Sequence, residues 1–111
     1  MSPAVATMAD IKAIESVPLE RRELPTNTYA AIQQGAAINP DKIALQFFLQ
    51  GTNFTDAVFY TYRDLASLIT QTANMFHNLG VGKNDVVSMI LPNLPQAYFT
   101  IFGGEAAGIV N

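Results

Sequence analysis

Apolar residues recur with changing periods along this chain, and each period predicts an element. Ile11, Ile14 and Val17 are spaced by three, as in two turns of helix over 9–17 that Pro18 closes. Thr26 to Thr28 offer the side-chain oxygens that cap a helix, after which Tyr29, Ile32 and Ala36 share one face. Asn39-Pro40 ends that helix, because the residue before proline avoids helical geometry. Over 42–49 the period drops to two, with Ile43, Leu45, Phe47 and Leu49 on one face of a strand. Gly51-Thr52-Asn53 signals a turn, and 57–61 reads as the returning strand, with Val58 and Tyr60 on one side. An antiparallel pair with a loop longer than a tight hairpin is expected.

The strongest periodicity follows. Thr61 can cap a helix, and Asp64 three residues later can reach back in a capping box. Tyr62, Leu65, Ala66, Ile69, Ala73 and Phe76 form a stripe at helical spacing, and Gly80 follows Leu79 as a left-handed stop. Lys83-Asn84-Asp85 turns the chain into 86–91, a continuous apolar run of the kind found in strands buried on both faces. Pro95 suits the first turn of a last helix reaching about Ala107, and Gly108-Ile109-Val110-Asn111 reads as the opening of one more strand. Helix, apolar strand, helix and strand make the rhythm of an α/β sheet with right-handed crossovers. A chain that stops on such a strand is expected to be the start of a larger enzyme.

Composition sharpens this picture. Of 111 residues, 50% are apolar and only 14% charged, so some surface is expected to be covered by more of the same chain or by a partner. The net charge of −3, with six Lys and Arg spread thinly, disfavours nucleic acid. The chain has no cysteine, which excludes disulfides and thiolate chemistry. Met1 to Asp10 has neither the basic nor the apolar region of a secretory signal, so a cytoplasmic location is expected and Asn53-Phe54-Thr55 is a chance sequon. From Val86 to Val110 the single charge is Glu105, a length that could cross a bilayer. Pro92, Asn93, Pro95 and Gln96 in its middle third favour two buried soluble elements over a transmembrane segment.

Candidate chemistry is sparse. Gly103-Gly104-Glu105-Ala106-Ala107-Gly108 is glycine-rich, but Ile109 and Val110 stand where a phosphate-binding loop needs Lys and Ser or Thr. It also ends a helix where a dinucleotide fingerprint would open one, so close packing of that helix on the sheet is expected. His77 is the only histidine and sits at the edge of the apolar stripe, near the helix end, where a dipole contact explains it better than acid–base work. Asp64 reads as a cap, and Asp41, Asp56 and Asp85 as turn residues. Phe47, Phe48, Phe54, Phe59, Tyr60 and Tyr62 are expected in the core. Tyr98, Phe99 and Phe102 are also core candidates before they are cavity walls. The mixed charges of 19–25 read as a solvated connection.

Five segments carry a specific resemblance. Phe59-Tyr60-Thr61-Tyr62-Arg63-Asp64-Leu65 is followed by Ala73-Asn74 and Leu79-Gly80-Val81-Gly82-Lys83-Asn84-Asp85-Val86-Val87. Leu91-Pro92-Asn93-Leu94-Pro95-Gln96 and the glycine-rich 103–108 come next. In this order they resemble the opening of the AMP-forming acyl-CoA synthetases, members of the adenylate-forming superfamily. Asn84 departs from the family's usual Gly, at a turn that tolerates positive φ. Gly103-Gly104-Glu105 replaces a more usual leucine-rich lead. The resemblance covers about residues 27–111.

It implies an α/β fold: a partial N-terminal subdomain of an adenylate-forming enzyme, a mixed sheet with packed helices, truncated at its last strand. Residues 1–26 would be a leader or surface segment, and 27–111 an incomplete N-terminal α/β subdomain. Such enzymes join a carboxylic acid to CoA through an acyl-adenylate, releasing AMP and pyrophosphate, and take ATP, Mg and CoA. The expected substrate is a fatty or related carboxylic acid. Their catalysis needs donors and cations at the α-phosphate. The family's Ser/Thr/Gly-rich loop, its aromatic-Gly-x-Thr-Glu segment, its ribose-binding Asp and its C-terminal lysine all lie outside these residues. No catalytic, cofactor-binding or metal position is therefore assigned, and the isolated chain is expected to be inactive, bind no cofactor and self-associate. The remainder of its own chain is its expected partner. An adenylation domain serving a carrier-protein thiol, an aryl-acid ligase, or a stand-alone α/β interaction module are the alternatives.

Overall fold

The computed structural model describes residues 5–110. In chain order these form α1 (Met8–Glu15), a 3-10 turn (Leu19–Arg21), α2 (Thr28–Ile38) and β1 (Ile43–Phe47). A second 3-10 turn (Gly51–Asn53), β2 (Val58–Thr61), α3 (Tyr62–Asn78) and α4 (Pro95–Ala107) follow. The most extensive packing joins α3 to α4, α2 rests on both, and β1 and β2 lie against α3.

Helix α3 begins where its sequence says it should. The Thr61 hydroxyl accepts from the Asp64 backbone N–H at 3.1 Å, and the Asp64 carboxylate accepts from the Thr61 N–H at 2.9 Å, completing the capping box. The stripe works as expected: Ala66, Ile69, Ala73 and Phe76 are buried, and Ile69 has no solvent exposure at all. Gly80 (φ 76°) ends the helix in the left-handed region, and Asn84 (φ 71°) takes the same conformation in the next turn.

Helix α4 meets α3, not the sheet, at Gly103. A Cβ on Gly103 would stand 2.6 Å from both Cβ and Cγ2 of Thr72 and 3.2 Å from the Ile69 carbonyl oxygen. The close packing read from the glycine-rich segment is thus real, but its partner is the neighbouring helix. Gly108 (φ 79°) supplies the left-handed cap. Beyond it, buried Ile109 joins Ala73, Phe76 and Ala107 in the core, with Val81 and Val87 packed around them.

Both pairings of a mixed sheet occur, but apart. β1 and β2 are antiparallel, with Leu45 opposite Tyr60 and Phe47 opposite Val58. An irregularity between Ile43 and Leu45 shifts the register, so Ala44 and Leu45 are both half-buried while Ile43 is exposed. The single face expected for Ile43, Leu45, Phe47 and Leu49 is therefore broken, and Leu49 lies beyond the strand in solvent. The parallel pairing is a single bridge between Val86 and Val110.

The strand expected over 86–91 is not formed. A strand needs a lateral partner for its N–H and C=O groups, and burial on both faces needs cover on both. This segment has one bridge and one cover. Val87 packs against the helix core and Met89 is half-buried, whereas Val86 is 72% exposed and Ile90 97%. Among the described residues no helix is long and apolar enough to cross a membrane.

Candidate functional site

The N-terminus of α3 is the natural place to look for anion chemistry, because a helix leaves its first N–H groups free. Here those donors are used by the protein itself. The Tyr62 N–H donates to the Lys42 carbonyl and the Arg63 N–H to the Pro40 carbonyl, each at 3.0 Å. The Asp64 N–H goes to the Thr61 hydroxyl. The Asp64 carboxyl is held below its ordinary pKa, first by the Thr61 hydroxyl and then by the Thr61 N–H. Arg63 pairs with Asp41 at 2.9 Å, but both side chains are largely exposed, and such pairs contribute little. This helix start is a closed structural junction that ties α3 to the segment before β1.

The remaining sequence candidates lie apart from one another, in turns, at a helix end and on α4. Asp85 accepts from the Gly82 N–H at 2.8 Å and closes the turn it was expected to close. The Asp56 N–H donates to the Asn53 carbonyl in the loop between the strands. His77 is exposed in the last turn of α3. Phe99 is buried and meets Tyr60 edge to face, with ring centroids 5.3 Å apart at 72°. Tyr98 is 40% exposed. The expectation that the six aromatics of 47–62 are core is corrected for three of them. Phe54 is exposed in the loop between the strands, and Phe48 and Phe59 are exposed because a two-stranded ribbon with helices on one side has an open outer face.

One apolar cleft of about 440 Å³ lies between α2, β1, α3 and α4, walled by Ala31, Ile32, Ala44, Tyr62, Leu65 and Phe102. No charged side chain lines it. Beside it runs a polar link that the sequence reading did not single out. The Thr70 hydroxyl donates to the Ala66 carbonyl, so its bond with Tyr29 (2.8 Å) must be donated by the tyrosine. Gln33 Nε2 in turn donates to the Tyr29 hydroxyl at 2.8 Å. The chain of donors Gln33, Tyr29, Thr70 runs one way and pins α2 to α3. A polar Thr70 inside an otherwise apolar stripe was the available signal.

Among the described residues no three His, Asp or Glu side chains gather as a metal ion would require. In the glycine-rich segment Gly103 presses on Thr72 and the Ile69 carbonyl, whereas Gly108 lines a cleft of about 370 Å³ with Asn27, Tyr29, Glu105 and Ile109.

What the geometry defines is a helix-packed α/β unit whose conspicuous residues cap, turn and pack. The chain belongs to the AMP-binding enzyme family, whose sequence model matches residues 32–111. It is similar to the acetyl-coenzyme A synthetase of Dictyostelium discoideum, with 31% identity over 84 residues, 76% of this chain and 12% of that protein. In structure it is similar to the Mycobacterium tuberculosis fatty acyl CoA synthetase (TM-score 0.61, 25% identity), covering 76% of this chain and 16% of the other. The N-terminal subdomain of Klebsiella oxytoca NpsA, in complex with anthranilyl-AMSN, has the same fold (TM-score 0.66, 23% identity, 78% and 21% covered). The fold is thus part of an adenylate-forming N-terminal subdomain, and the chain spans only 12% to 21% of these relatives.

Proposed function

We propose that this chain supplies scaffold to an acyl-CoA synthetase acting on a fatty or related carboxylic acid with ATP, Mg and CoA. The observation that carries the reading is the family match over 32–111, which spans both strands, the α3–α4 seam and the connection between those helices. In this reading the chain positions elements around a site completed by the remainder of its own chain. The face bearing Val86, Ile90 and Val110 is covered in the whole enzyme and drives self-association of 1–111 alone. The test is hydroxamate trapping of acyl-adenylate, run on 1–111 and on the longer protein that contains it. The expected result is acyl-dependent product from the longer protein, passed on to CoA, and none from 1–111. Hydroxamate formed by 1–111 alone sinks the proposal, as does a longer protein that releases no pyrophosphate with any carboxylic acid.

A further inference from the structure

The leader is more ordered than a surface connection needs to be. Its helix α1 opens on a second capping box, in which the Asp10 carboxylate accepts from the Thr7 N–H at 2.8 Å and the Asp10 N–H donates to the Thr7 hydroxyl. Its last carbonyls are also taken. Lys12 O receives the Ser16 N–H, Ala13 O the Ser16 hydroxyl, and Ile14 O the Val17 N–H. Arg22 then folds back, its guanidinium donating to Ile14 O at 2.7 Å and to Val17 O at 3.1 Å. A cation at this helix end also opposes the negative pole of the helix dipole.

Isolated helices this short are marginal in water, so a two-turn helix with no core behind it needs such closure. No residue of α1 or of the 3-10 turn is buried. Neither element takes a substantial part in the packing that joins α2, α3, α4 and the strands. Among the described residues, the hydrogen bonds of 6–24 stay within that stretch. The radius of gyration is 17.5 Å, where a compact chain near this length gives about 13 Å. Between the two parts, Glu23 to Thr26 carries Pro25, which has no N–H to offer.

We infer that residues 6–22 form a preassembled arm, stapled by Arg22, that swings as one unit about 23–26. Met8, Ile11 and Ile14 therefore travel together, as a fixed apolar edge rather than as independent side chains.

Backbone ¹⁵N relaxation and Cα chemical shifts on the intact chain test this. Residues 8–15 should show helical shifts and a shorter effective correlation time than residues 62–107, with the lowest order parameters at 23–26. Arg22→Ala should abolish the helical shifts over 8–15 and leave those of 62–107 in place. Arg21→Ala, which removes an arginine with no part in the staple, should change neither region. A correlation time shared by arm and body overturns the hinge. Helical shifts that survive Arg22→Ala overturn the staple.

Discussion

The α3–α4 seam and the segment 86–91 are both apolar, adjacent in the chain, and opposite in fate. At the seam, Ile69 is fully enclosed and Gly103 presses on Thr72. Along 86–91, Ile90 stands almost wholly in solvent. The difference is one of self-sufficiency. A helix satisfies its own backbone and needs only a neighbour of matching shape, whereas an apolar strand needs a lateral partner and two covers. Hydrophobicity alone distinguishes these regions poorly, and the supply of partners distinguishes them well.

Substitutions can break or sharpen that contrast. Ile69→Ala should cost the most, about 2–5 kcal/mol of unfolding free energy, because it opens a cavity in the enclosed seam. Urea denaturation followed by circular dichroism reads it, and a loss below about 0.5 kcal/mol contradicts the seam as described. Gly103→Ala should cost about 1–3 kcal/mol, since its methyl must displace Thr72. Pairing it with Thr72→Gly should recover part of that loss, which a merely conformational glycine effect would not allow.

A smaller effect is expected from acid. Asp64 and Asp10 have folded pKa values below their ordinary ones, chiefly through the Thr61 and Thr7 hydroxyls. Their contribution is complete above the unfolded carboxylate pKa and fades as pH falls through the depressed folded value. Helicity followed from pH 6 down to about 2 should fall across that window, and Asp64→Asn should flatten the α3 part of the change. Smallest of all, Ile90→Ala should shift stability by no more than about 0.5 kcal/mol in this chain. A large loss there would mean that 86–91 is covered after all, and the contrast would collapse.

Much of this architecture was legible in the residues. Thr61, Asp64 and the stripe to Phe76 defined α3 because capping and periodicity are local, and Pro95 and Gly108 marked both ends of α4 for the same reason. What local signals could not give was cover. The run 86–91 has the composition of a buried strand, but its burial depends on neighbours that the run does not encode. The exposure of Phe48 and Phe59 has the same origin, since their ribbon has helices on one side only. The glycines of 103–104 announced a close approach without naming the surface approached. Arg22 lay inside a mixed-charge cluster, where a guanidinium that staples a helix looks like any other surface arginine. Thr7 and Asp10 repeat the Thr61 and Asp64 spacing and could have been read the same way.

The bridge between Val86 and Val110 has a consequence for the order of assembly. Val110 N–H donates to Asp85 O and Val87 N–H to Val110 O, so the loop leaving α3 is tied to the residues leaving α4. Everything this junction joins lies in one continuous stretch, and closing a loop of that size costs little chain entropy. The seam is therefore a low-contact-order unit, able to zip up as soon as Val110 is available and before more distant pairings are made. As the chain emerges from the ribosome, the glycine contact at Gly103 and the clasp at Val110 would mature as one early event.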